Sequence, residues 1–225
     1  MVNDHTSSEY QAELDELRER LLLMAGRVEE MIRLSVRSVV ESDSQLAEET
    51  ILKDRLVNRD ELEIDEMCLV LLARRQPMGT DLRFITRSMK MVTDLERIGD
   101  LAVNICERAK DLSTLEQLRP YVRIPKMATK VQDMVHETFD AFIYADADRA
   151  RHAIDMDDEV DELYHQVIRT VLEVASGNDE VYPQTVHVQG VAKLLERIGD
   201  HATNVAEQVI FMVDGTDIRH EGKLH

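Results

Sequence analysis

Apolar residues recur at alternating steps of three and four near the start of the chain: Leu14, Leu17, Leu21, Met24, Val28 and Met31, with Ser35 continuing the line. That spacing places them on one stripe of an α-helix and leaves polar residues on its other faces. Capping residues at Ser42-Asp43-Ser44 end this helix and start a second, which runs to about Arg75. Gln76-Pro77-Met78-Gly79 reads as a turn, and Thr80 or Asp81 caps a third helix reaching about Leu115. A fourth spans about Ile124 to Tyr144, with Met127, Val131, Met134, Thr138 and Phe142 on one face. After Ala145-Asp146-Ala147-Asp148 a fifth runs to about Ser176. After Gly177-Asn178-Asp179 a sixth runs from about Pro183 to Val213. Pro77, Pro120, Pro125 and Pro183 all mark helix ends rather than interiors. The pattern predicts an all-α protein of six long helices and no strand.

The pattern also repeats. Residues 96–107 read ERIGDLAVNICE and residues 196–207 read ERIGDHATNVAE, identical at eight of twelve positions and displaced by 100. Upstream, Met24, Ala25, Val28 and Met31 match Met127, Ala128, Val131 and Met134 at a displacement of 103. Asp43, Ala47 and Asp54 match Asp146, Ala150 and Asp157 at that same displacement. The three-residue shortening falls between the second and third helix of each half, where a loop can absorb it. Helix order, spacing and identity thus predict a tandem duplication of two antiparallel three-helix bundles, over residues 1–116 and 117–225.

Composition narrows the function. Acids outnumber bases 45 to 27, for a formal net charge of -18. Such a chain repels nucleic acid and anionic membranes unless a local basic patch intervenes, and it carries no long basic run. No Gly-rich cradle for a phosphate group is present, which tells against tight binding of a small anion. Cys68 and Cys106 sit in apolar stretches and form no CxxC pair, so they read as small core residues in a reducing compartment. A polar N-terminus and the lack of any roughly 18-residue apolar run predict a cytoplasmic protein.

The acids themselves are patterned. At 100° per residue, Glu96 continues the line of Ile85, Met89 and Val92, and Asp100 follows one turn later. Gly99 lies beside them in mid-helix, where glycine costs about 1 kcal/mol relative to alanine. A close backbone approach by a neighbour is the expected offset. Glu196, Gly199 and Asp200 repeat the arrangement. Asp54, Asn58, Glu61 and Asp65 form a stripe on the second helix of the first half. Asp157, Asp161 and His165 form its counterpart. Carboxylates one turn apart, facing more carboxylates on a neighbouring helix, repel unless a hard cation relieves them, and iron, manganese, magnesium and calcium suit such donors. Two other uses remain open: a solvated acidic face, or ion pairing with Arg97 and Arg197. Ferritin-like di-iron catalysis needs two Glu-x-x-His motifs, and only Glu162-Leu163-Tyr164-His165 fits. No catalytic constellation is legible.

Four segments carry a family resemblance: LLARRQPMGTDLRFI (71–85), VTDLERIGDLAVNI (92–105), LLERIGDHATNVAE (194–207) and VDGTDIRH (213–220). Together they resemble the PhoU family, in order and over nearly the whole chain. The resemblance implies two three-helix bundles, frequent homodimers and no enzymatic activity. It also implies repression of the phosphate-starvation regulon and restraint of phosphate uptake, through contact with the ATPase of a phosphate ABC transporter and with a sensor histidine kinase. Some members hold iron or other metals through paired Glu/Asp-x-x-x-Asp motifs. By position these correspond to Asp54 with Asn58, Glu96 with Asp100, Asp157 with Asp161, and Glu196 with Asp200. Asn58 departs from the motif, and a neutral amide is the weaker ligand for a hard cation, so the second-half set is expected to be the stronger. The alternative function is a carboxylate-bridged metalloenzyme in a helical bundle.

Overall fold

The computed structural model describes residues 2–115, 123–176 and 179–218, with side chains from residue 8 onward apart from that of Asp179. Its helices are α1 (Val2–Glu41), α2 (Ser44–Arg75), α3 (Gly79–Ser113), α4 (Arg123–Tyr144), α5 (Ala147–Asp155), α6 (Asp157–Ala175) and α7 (Tyr182–Asp214). No strand occurs among the described residues. The seam read from the sequence is the core. Leu17, Leu21, Met24, Val28 and Met31 of α1 and Met127, Val131 and Met134 of α4 are at most 2% exposed. Each large side chain so buried contributes about 1.5–3 kcal/mol relative to exposure.

The duplication is visible in the caps. Asp43 accepts the backbone N–H of Leu46 at 2.9 Å. Its counterpart Asp146 accepts those of Asp148 and Arg149, both at 3.0 Å. Such caps satisfy donors the first helical turn leaves open. The residues before them, Ser42 and Ala145, both take left-handed φ angles, 54° and 49°. α3 differs from expectation. Met78 precedes it with no side-chain cap, and Asp81 instead sits in the first turn and accepts the Tyr10 hydroxyl at 3.1 Å.

Two departures from the sequence reading follow from the chain chemistry. The fifth expected helix is divided at Met156 into α5 and α6. Asp157, Asp158 and Glu159 form the first turn of α6, where the helix dipole favours negative charge. In an unbroken helix, that run with Asp155 would stack like charges one turn apart. The first half has Leu52, Arg55 and Leu56 at the positions of Asp155, Asp158 and Glu159, and α2 continues without a break. The three-residue shortening comes out of the helix end rather than a loop: α6 stops at Ala175, the counterpart of Leu72, whereas α2 reaches Arg75. The boundary drawn at 116/117 lies outside the described residues.

α1 packs on α2 and α3, and α4 packs on α5, α6 and α7. α3 and α7 then lie antiparallel against each other and α1 meets α4, so one continuous apolar cluster runs through both halves. Polar contacts fix the α3–α7 register. Arg87 donates to Gln208 Oε1 at 2.9 Å, and its guanidinium covers the Phe211 ring at 3.5 Å. His201 Nδ1 lies 2.9 Å from Asp94 Oδ1. Phe84 of α3 stacks on Phe142 of α4 with ring centroids 6.2 Å apart. Cys68 and Cys106 are free thiols at 0% exposure, and burial pushes both up to about 12.

Candidate metal centres

Each half gathers its acids where the second helical layer crosses the inner pair α3–α7. The mid-helix glycines make that approach possible. A Cβ built at Gly99 would lie 3.3 Å from Val57 Cγ1 and 3.6 Å from Asp54 Oδ1. At Gly199 it would lie 3.1 Å from Asp157 Oδ1 and 3.5 Å from Val160 Cγ1. α2 and α6 therefore seat an aspartate directly over a bare stretch of the partner helix, which places it within reach of the Glu-x-x-x-Asp pair.

In the first half, Asp54, Glu96 and Asp100 are brought together, and Asn58 joins them by donating its Nδ2 to Asp54 Oδ2 at 2.8 Å. Burial holds the Asp54 carboxyl above its ordinary range, with Asp100 adding to the effect and the Asn58 hydrogen bond opposing it. Glu96 is raised by burial and then by Asp100, Glu61 and Asp54. Glu61 is raised by burial, Asp65 and Asp100, and Asp65 by burial. Glu61 and Asp65 thus extend this cluster beyond the motif residues. Their place on the α2 stripe was the available signal. Arg97 is a partial counter-charge, 3.6 Å from Glu96 and 3.5 Å from Asp100, but more than half exposed.

In the second half, Asp157 is pushed up to about 6 by burial first and then by Asp161, Asp200, Glu196 and Asp158. All four motif residues are therefore near neighbours. Tyr164 and Ile168 replace Glu61 and Asp65 here. Lys193, at the position of Thr93, clamps both oxygens of Glu196 at 2.5 and 2.6 Å. The expected advantage of the second site rested on Asn58 alone. With these neighbours each half sets five carboxylates against one cation, Arg97 in the first and Lys193 in the second, so Asn58 remains the difference between the two sets.

The donor set fits a hard cation in one specific respect. Asp54 Oδ1, Asn58 Oδ1, Asp65 Oδ1 and Asp157 Oδ1 are buried oxygens with no hydrogen-bond partner. Leaving such a group unpaired costs about 1–3 kcal/mol, and more when it is charged. Among the described residues, no three or more Asp, Glu, His or Cys side chains are placed to hold a metal ion as they stand. The glutamate of the one Glu-x-x-His pair is engaged elsewhere. Glu162 accepts from Gln166 at 3.0 Å and from Arg169 at 2.9 Å on the exposed side of α6.

The family model described as PhoU domain matches the chain twice, over residues 21–109 and 124–209. The chain belongs to the PhoU family. A phosphate-specific transport system accessory protein PhoU homolog of Pseudomonas aeruginosa is 40% identical over 222 residues, 98% of this chain and 92% of that protein. The phosphate-specific transport system accessory protein PhoU of Escherichia coli is 32% identical over 221 residues, covering 98% and 92%. The crystal structure of PhoU from Pseudomonas aeruginosa superposes with a TM-score of 0.88 at 39% identity, over 92% of this chain and 100% of that one. The phosphate transport system regulatory protein PhoU from Streptococcus pneumoniae, at 24% identity and a TM-score of 0.84, shares the fold over 93% of this chain and 99% of its own. Each PhoU match contains one complete acid cluster, the first spanning positions 54–100 and the second 157–200. No helix among the described residues of this PhoU-family chain is long and apolar enough to cross a membrane.

Proposed function

We propose that this PhoU-family chain is a non-enzymatic negative regulator of phosphate uptake and of the phosphate-starvation regulon. It acts in the cytoplasm, as a homodimer, as an adaptor between the ATPase of a phosphate ABC transporter and a sensor histidine kinase. The observation that carries this reading is the double family match, together with full-length relatives named as accessory proteins of phosphate transport. The test is co-purification of the full chain with the ATPase and with the kinase, at high and low phosphate. Association with both supports the adaptor; association with neither, under any phosphate or metal condition, overturns it.

The same reading assigns the acid clusters a divalent or trivalent cation, with iron the leading candidate. Asp54, Asn58, Glu96 and Asp100 would hold it in the first half, joined by Glu61 and Asp65. Asp157, Asp161, Glu196 and Asp200 would hold it in the second. Such a cation supplies positive charge to oxygens that otherwise repel one another. The chain's own part is to present those oxygens from two helices at once, so loading ties α2 to α3 and α6 to α7. Elemental analysis of protein purified without chelator, beside the Glu196→Ala/Asp200→Ala variant, tests the assignment. Lower metal content in the variant supports it, and equal content removes it.

A further inference from the structure

Leu52, Leu56, Leu62 and Leu69 of α2 are exposed among its charged residues. Leu62 is 70% exposed and Leu69 is 52% exposed. They stand seven residues apart, two helical turns or about 10 Å along one line. Beside them, α1 and α2 leave two adjoining hollows of about 200 and 440 Å3. Met67 and Val70 form the floor, next to the buried Leu71. Isolated exposed leucines need no explanation, but Leu62 borders the larger hollow and Leu69 continues its line two turns on, so together they add exposed apolar surface to that edge.

The rim of this groove is acidic. Glu13, Glu16, Glu63 and Glu66 line it. Arg75 holds Glu13 at 2.8 Å and Arg20 holds Glu63 at 2.6 Å. Glu16 has only a 4.0 Å contact with Arg20. More acids than bases therefore border the apolar strip. That sign selects the occupant. A second copy seated on the same face would bring glutamates against glutamates, in a chain whose net charge is -18. An anionic lipid surface is repelled for the same reason.

We propose that the α1–α2 groove docks a basic amphipathic helix of a partner protein. Apolar residues at i, i+3, i+4 and i+7 of that helix lie on Met67 and Val70 beside Leu62 and Leu69, and its lysines or arginines face Glu16 and Glu66. The groove is two to three turns long, which matches that spacing. The proposal rests on the adaptor reading and names where one of its partners binds. The charged rim supplies orientation and rate, and the leucines supply most of the affinity.

The experiment uses the full chain and a fluorescein-labelled 14-residue peptide of leucine and lysine in the i, i+3, i+4, i+7 pattern, read by anisotropy at about 150 mM salt. Leu62→Gln/Leu69→Gln is expected to weaken binding about tenfold or more, with an unchanged thermal melt, since both side chains are solvent-facing. Glu16→Lys/Glu66→Lys is expected to weaken it as well, and a leucine–glutamate peptide is expected not to bind. Equal affinity for wild type and the double-glutamine variant overturns the proposal. So does a shift from dimer to monomer caused by that variant, which makes the occupant a second copy. Co-sedimentation with phosphatidylglycerol vesicles that depends on Leu62 and Leu69 overturns it too. The adaptor reading is read separately: ATPase or kinase binding that survives both variants sinks the groove alone. Loss of that binding only in the variants supports it.

Discussion

Replacing Asp157 by Asn keeps the shape of the side chain and removes a charge that the fold holds at a cost. Burial, then Asp161, Asp200 and Glu196, lift this carboxyl from 3.8 to about 6. At about 1.4 kcal/mol per unit, the full shift corresponds to about 3 kcal/mol against the folded state at neutral pH. The group is only partly buried, so solvent screening reduces this to about 2 kcal/mol. Asp157 also opens α6, and losing a negative charge in a first turn gives up about 0.3–1 kcal/mol. The net expectation is that Asp157→Asn stabilises chelator-treated protein by about 1 kcal/mol at pH 7.5, a rise in Tm of about 2–4 °C at this size. The sign with pH follows from the raised value. The native state binds this proton more tightly than the unfolded chain, so the penalty is complete above about pH 6, falls as the pH drops towards 4, and is gone below that. Guanidinium melts at pH 7.5 and pH 4.0 measure it, and the gain should shrink to a small fraction at the lower pH. A millimolar divalent cation should reverse the ranking, because only wild type keeps all four second-half carboxylates. A variant less stable than wild type in chelator at pH 7.5, or a gain that ignores pH, refutes the reasoning.

Two further expectations concern packing. Gly26→Ala meets nothing within 4 Å and should gain about 0.5–1 kcal/mol of helix propensity, whereas Gly199→Ala drives a Cβ to 3.1 Å from Asp157 and should lose about 1–2 kcal/mol net. Thermal melts of the pair check this, and equal shifts in Tm would defeat the close-approach account. Asp60, 4% exposed, is held by Arg27 across α1–α2. Arg27→Met should strand it and cost about 3 kcal/mol, while Arg27→Met/Asp60→Leu should recover most of the loss. A double variant no better than the single one counts against a stranded charge as the cause.

The helices, the core seam and the duplication were legible in the sequence because each rests on repetition: one period within a helix, one displacement between halves. The division at Met156 was not, because the helical pattern of apolar residues runs through it. Only the stacking of Asp155, Asp157, Asp158 and Glu159 marks it, and that competes with propensity rather than with periodicity. The membership of each acid cluster was legible only in part. The motif residues assemble as their spacing indicates. Glu61 and Asp65 sit on the stripe already recognised on α2, yet the electrostatic link of Glu61 to Asp100 depends on where α3 crosses. Lys193 is three residues from Glu196 in sequence, but whether such a pair closes is a matter of rotamers that no wheel diagram contains.

The seam between α3 and α7 bears on how such a chain arose. Part of the core belongs to neither repeat alone, since α3 and α7 pack on each other as well as on the helices of their own halves. A single-repeat ancestor would have carried that contact face bare, and two identical copies would have closed on each other across a true twofold axis. Fusion of the copies freed the halves to differ. Asn58 against Asp161, Thr93 against Lys193, and Glu61 against Tyr164 are differences that a symmetric pair of identical chains is unable to hold.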